Sequence, residues 1–189
     1  YKAYGPDGCQ VTTEAAAAIQ AEIAGVDLFE DVKLAGYDEA LADGRIRLIG
    51  EETVDAFIAA VKAQRVDTDE SAPLKVVYTP LNGTGLECVT RILKETGVTD
   101  VTVVPEQEKP DGNFPTAPFP NPEIREALQK GLDLSEKVQP DLLLATDPDC
   151  DRVGIAVRQD GDFVLLNGNE VGVLLLDYLC RARKAAGTL

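Results

Sequence analysis

Apolar positions along this chain change their period near residue 74, and that change organises it. Residues 12–24 (TTEAAAAIQAEIA) predict a helix, with Thr13 as its N-cap and Gly25 closing it. Residues 26–50 carry no sustained period, and only the alternation at 45–49 (RIRLI) suggests a short strand. A second helix is predicted over 51–64, where Val54, Phe57, Ile58 and Val61 share one face. The polar stretch 67–73 reads as a linker. Beyond it, 75–79 (KVVYT) is a β-rich run followed by a turn at 80–85, a helix over 86–95 stopped by Gly97, and a strand over 101–104. Residues 106–121 form a loop rich in Pro and Gly, long enough to suspect function. Asn121-Pro122-Glu123 has the cap and first-turn proline of a helix start. That helix is expected to break near Gly131 and end about Val138. A third strand covers 142–145, and 153–157 with 162–166 form a hairpin across Asp160-Gly161. The last helix, 169–183, is expected to bury Val171, Leu174, Leu175, Tyr178 and Leu179. Strands alternating with helices through short turns predict an α/β fold: a three-layer α/β/α sandwich with a mostly parallel sheet and an antiparallel edge. It is assigned to residues 51–189, with 1–50 as a lead-in.

The third strand delivers the most informative residues of the chain, Asp147-Pro148-Asp149-Cys150-Asp151-Arg152. Three carboxylates at alternate positions oppose one another's ionisation unless a cation neutralises them. On a flat strand residues two apart lie roughly 6–7 Å from each other, whereas Mg²⁺ holds its ligands at about 2.1 Å. The segment must therefore curl, and Pro148 is suited to end the strand's ladder. A solvated acidic loop is the bland alternative. Calcium bound as in an EF-hand is excluded, because the required glycine and glutamate positions hold Arg152 and Arg158. The arrangement reads as a divalent-metal site beside a phosphate.

Composition narrows the classes. With 44% hydrophobic and 27% charged residues the chain has ordinary globular content. A net charge of −15 without histidine argues against a nucleic-acid surface. It also means that a phosphate substrate must be held by local cations: the metal, Arg152, and groups outside this chain. The four cysteines form no C-x-x-C pair, so neither a zinc cluster nor a disulfide framework follows and reduced thiols of the cytoplasm are the default. No leader or membrane span is evident. The absence of methionine and the abrupt Tyr1-Lys2-Ala3-Tyr4 opening read as an excised piece of a longer protein.

The turn L-N-G-T-G at 81–85 has the look of a phosphate loop, although it matches neither the Walker A nor the dinucleotide fingerprint; a tight strand–helix connection is the alternative. Together, however, Y-T-P-L-N-G-T-G, D-G-N-F-P with P-N-P-E, and D-P-D-C-D-R stand in the order of one family. From about residue 51 to 189 the chain resembles the second domain of the α-D-phosphohexomutases, the phosphoglucomutase/phosphomannomutase group. The resemblance implies a four-domain cytoplasmic enzyme that moves phosphate between the 1- and 6-positions of a hexose, through a phosphoserine and a bisphosphorylated sugar. It implies Asp147, Asp149 and Asp151 as Mg²⁺ ligands, Arg152 in the active site, and glucose 1,6-bisphosphate as activator. Residues 1–50 become the tail of the first domain, and Lys2 matches a lysine that assists proton transfer at the sugar hydroxyl. Asn82 stands where many relatives carry histidine, and keeps a positioning role through its hydrogen-bond donor. The D-G-N-F-P loop is expected to be structural, packing Phe114. The partners implied are a phosphosugar and the remaining mutase domains; neither nucleic acid nor membrane is expected. The fragment alone is expected to be inactive. The alternatives are a stand-alone divalent-metal module, a phosphomannomutase or phosphopentomutase, and a phosphatase with an aspartate nucleophile, which would call for a Thr/Ser and a Lys near the loop.

Overall fold

The structure is a computed structural model, and it describes residues 2–66 and 73–188. Most of the linker expected at 67–73 lies outside the described residues. The chain divides into two compact units, Tyr1–Ile49 and Gly50–Leu189.

In the first unit, helix α1 spans Thr13–Ala24. Its N-cap is Thr12 rather than Thr13: the Thr12 hydroxyl accepts from Ala15 N–H, the bond a cap must make to an orphan first-turn donor. A short helix α2, Tyr37–Ala42, was not foreseen. The strand expected at 45–49 does not form. Ile46 N–H instead bonds back to Ala40 carbonyl, Arg45 folds onto Asp43, and Leu48 and Ile49 stay exposed. Alternation alone cannot make a strand without a partner to complete the ladder.

The second unit is built on a five-stranded sheet in the order β2-β1-β3-β4-β5. β1 (Lys75–Thr79) pairs in parallel with β2 (Asp100–Val103) and with β3 (Leu142–Thr146). β4 (Val153–Gln159) and β5 (Asp162–Leu166) continue antiparallel as the hairpin the sequence predicts. The sheet is thus mixed, with two parallel and two antiparallel pairings, so the antiparallel edge is two strands wide. Helix α4 (Leu86–Glu95) joins β1 to β2, and α5 (Arg125–Val138) joins β2 to β3. These crossovers run in opposite directions along the sheet. Right-handed connection then puts the two helices on opposite faces, which makes an α/β layered fold. Helix α3 (Glu51–Lys62) is tied to α4 by Lys62–Glu95 (2.9 Å) and Arg91–Asp55 (2.5 Å).

The core lies between the sheet and α5: Val77, Leu143, Ala145 and Ala156 meet Leu128, Leu132, Val104 and Phe163. Helix α5 starts later than expected. Asn121 Oδ1 takes Glu123 N–H, but the intervening residues form a turn and regular helix begins at Arg125. Nor does it break at Gly131. That residue is buried against Leu143, and a Cβ there would stand 2.8 Å from a Leu143 methyl. Helix α6 (Gly168–Ala185) opens with a full capping box of Asn167 and Glu170. Its expected apolar face is only partly covered: Val171 and Leu179 are half-buried, whereas Leu174, Leu175 and Tyr178 are 57%, 52% and 42% exposed.

Candidate metal centre

β1 and β3 are parallel neighbours at the point where strand order reverses, with Thr79 opposite Ala145. Open α/β sheets place their ligands at such switch points, beyond the carboxyl ends of the strands. Two segments emerge there, the turn 80–85 from β1 and the acidic loop 147–152 from β3.

The acidic loop curls as its spacing requires. Cys150 N–H bonds to Asp147 carbonyl at 3.0 Å, and Cys150 takes a positive φ of 61°. Asp147 is fully buried at the root of the curl. Its Oδ1 accepts the N–H groups of Asp151 (3.0 Å) and Arg152 (2.9 Å), and its Oδ2 accepts Arg152 Nε at 2.7 Å. Burial by itself would raise the Asp147 pKa. The Arg152 N–H and guanidinium outweigh it and hold the carboxyl below the usual carboxylate range, while Asp147 raises the Arg152 guanidinium in return. Asp149 and Asp151 are exposed, and one carboxylate oxygen from each of the three aspartates lies within 4.8 Å of the others.

That spread can be compared with a metal shell. Oxygens about 2.1 Å from Mg²⁺ stand up to about 4.2 Å apart across it, so small side-chain rotations close this set on one ion. The donor set is also of the hard, all-oxygen kind that Mg²⁺ selects. Three carboxylates against one guanidinium leave excess negative charge for a divalent ion to neutralise. The residues fit the ion.

The other expected residues are placed as follows. Arg152 is at the centre, its side chain 55% exposed beyond its bond to Asp147. Lys2 is exposed in the first unit, where it lines a shallow pocket with Gln10, Val11 and Gln20. Asn82 is buried with a positive φ of 57°, and its Nδ2 donates to Lys109 carbonyl at 2.8 Å, a bond that fastens the turn to the long loop. Its Oδ1 has no hydrogen-bond partner. Phe114 is half-buried in the D-G-N-F-P loop, whose Asp111 N–H docks on Asn82 carbonyl. The sequence reading missed Gln107. Fully buried, it accepts Thr79 Oγ1 at 2.7 Å and donates to Thr116 Oγ1 and Ala127 carbonyl, fastening the long loop to β1 and α5. It also missed how closely the turn 80–85 grips the acidic loop.

The model of the phosphoglucomutase/phosphomannomutase α/β/α domain II matches residues 55–161, more than half of the chain. The chain belongs to this family. It is similar to a phosphoribomutase of Saccharomyces cerevisiae, 37% identical over 94% of this chain and 31% of that protein. It is likewise similar to a phosphoglucomutase of Staphylococcus saprophyticus, 34% identical over 93% of this chain and 32% of the relative. Among solved structures, a Thermus thermophilus protein assigned as a phosphomannomutase has the same fold. Its TM-score is 0.66 at 23% identity, over 92% of this chain and 36% of that one. The chain thus spans about a third of the length of these curated relatives. Members of the family named here are phosphomutases, and the acidic trio lies within the matched residues.

Proposed function

We propose that this chain carries the Mg²⁺ site of a cytoplasmic phosphosugar mutase that interconverts hexose 1-phosphate and 6-phosphate. The observation that carries the reading is the convergence of Asp147, Asp149 and Asp151 within 4.8 Å, at the switch point of a sheet whose family acts on phosphosugars. Bound there, Mg²⁺ supplies charge neutralisation to a phosphoryl group in transfer, the main demand of that reaction.

The chain's own residues would do the rest. Asp147, ionised and clamped by two backbone N–H groups, anchors the ligand set. Asp149 and Asp151 complete it from the exposed side of the curl. The half-exposed guanidinium of Arg152 is a second cation for a phosphate oxygen. Lys2 is proposed to move a proton at the sugar hydroxyl. The phosphoserine, the sugar-reading groups and the remaining domains are assigned to the rest of a longer parent, with glucose 1,6-bisphosphate as activator. These 189 residues alone are then expected to turn over no sugar phosphate. Glucose phosphates are the leading substrates; the similarity to a phosphoribomutase favours ribose phosphates as the second reading.

The test is a coupled mutase assay on the parent protein with Mg²⁺ and a trace of glucose 1,6-bisphosphate. Glucose 1-phosphate, mannose 1-phosphate and ribose 1-phosphate are compared, with Asp149→Asn as control. Turnover of one sugar that collapses in the variant supports the mutase reading and names the substrate. A folded, metal-binding parent that is silent on all three leaves a metal module of another kind.

A further inference from the structure

The turn after β1 and the acidic loop after β3 touch at three successive residues. Gly83 lies against Pro148 so closely that a Cβ would stand 2.3 Å from Pro148 Cα, which reserves the position for glycine. Thr84 then aims both of its donors at one acceptor: its N–H and its hydroxyl reach Pro148 carbonyl at 2.9 and 3.1 Å. Gly85 packs against Tyr78, Thr146 and Cys150, where a Cβ would be 3.0 Å from Sγ. On its other side the turn is pinned to the long loop. Asn82 N–H bonds to Gln107 carbonyl (2.9 Å), Asn82 Nδ2 to Lys109 carbonyl (2.8 Å), and Asp111 N–H to Asn82 carbonyl (3.0 Å). The turn is therefore fixed from both sides. With its Thr84 N–H spent on Pro148, it is a brace for the acidic loop and offers no phosphate cradle at that residue.

Pro148 stands between two of the three aspartates, and its carbonyl belongs to the peptide that leads into Asp149. Two donors on that oxygen restrain the plane of the peptide, and with it the position of the Asp149 N and Cα atoms from which its side chain departs. We infer that Thr84 is a positioning residue for the divalent-metal site: through Pro148 carbonyl it orients Asp149 toward Asp147 and Asp151 and so sets the affinity for the cation. This rests on the metal reading given above. Groups that orient metal ligands typically contribute about 10–100-fold to affinity. Thr84 is itself exposed, so removing its hydroxyl opens no cavity and leaves stability nearly unchanged.

The experiment is a Mn²⁺ titration of the 189-residue chain, with free Mn²⁺ followed by electron paramagnetic resonance and thermal unfolding measured in parallel. Wild type, Thr84→Ala, Thr84→Ser and Asp149→Asn are compared. The expected result is affinity about tenfold weaker in Thr84→Ala at an unchanged Tm, with Thr84→Ser close to wild type. Wild-type affinity in Thr84→Ala, beside a weakened Asp149→Asn, overturns the role of Thr84 and leaves the metal site standing. A fall in Tm that tracks the loss of affinity and is not rescued by serine makes Thr84 merely structural, and also overturns it. A wild-type chain that binds no Mn²⁺, or an Asp149→Asn chain that binds as tightly, sinks the metal reading and this inference with it.

Discussion

The three aspartates of the loop are chemically alike but stand in different surroundings, and substitutions should separate them. Asp147 is buried and is the acceptor for two backbone N–H groups and a guanidinium; Asp149 and Asp151 are exposed. Asp147→Ala strands those donors and should cost about 1–3 kcal/mol of folding stability in addition to metal affinity. Asp149→Asn and Asp151→Asn should lose the metal with stability within about 0.5 kcal/mol of wild type. Urea unfolding beside Mn²⁺ titration checks this, and equal stability of all three variants would contradict it. A second titration lies just behind the loop. Burial pushes the Tyr78 phenol up to about 12, although its bond to Thr146 Oγ1 at 2.9 Å opposes the shift. The folded state thus holds this proton more tightly than the unfolded chain, whose phenol titrates near its ordinary value of about 10. The stability that Tyr78 contributes is fully present below about pH 10 and is lost as pH rises through about 12. Tyr78→Phe should flatten that alkaline decline in urea unfolding between about pH 10 and 12, and an unchanged slope would show that another group causes it.

Elements were legible wherever local signals agreed. β1, α4, β3 and the hairpin follow from β-rich runs cut by turn residues, because period and punctuation there name the same boundaries. The signals failed where a distant contact decides. The 45–49 segment has the alternation of a strand but no ladder partner among the described residues. The Gly131 break is suppressed because that glycine makes room for Leu143. In α6 the helical spacing was right, but period cannot say what covers a face. The candidate site divides in the same way. Asp147, Asp149, Asp151 and Arg152 sit within six residues, so spacing alone exposed them. The brace joins Thr84 to a carbonyl 64 residues away, and no local pattern records it. A similar long-range contact makes an element-scale prediction. Gly154 on β4 lies where a Cβ would meet Pro122 carbonyl at 2.1 Å. That backbone cannot rotate aside as a side chain would. Gly154→Ala should therefore cost about 1–3 kcal/mol or more by forcing the segment before α5 off the sheet. Urea unfolding reads it directly, and a variant as stable as wild type would mean that the segment yields freely.

At the scale of the whole chain, charge adds a term that no single residue carries. A net charge of −15 surrounds the acidic loop with a field that gathers cations and repels anions. The field acts over roughly 30 Å at 0.01 M salt and under about 10 Å above 0.1 M, whereas contacts inside the loop are hardly screened. Mn²⁺ affinity of the chain should accordingly fall on the order of tenfold as NaCl rises from 0.01 to 0.3 M. The ratio between wild type and Thr84→Ala should stay the same at both salts, because it reflects orientation within the loop. Mn²⁺ titrations of wild type and Thr84→Ala across one salt series distinguish these contributions. A ratio that changes with salt would assign part of the Thr84 effect to charge, and a salt-independent Mn²⁺ affinity would confine metal recognition to the loop's own geometry.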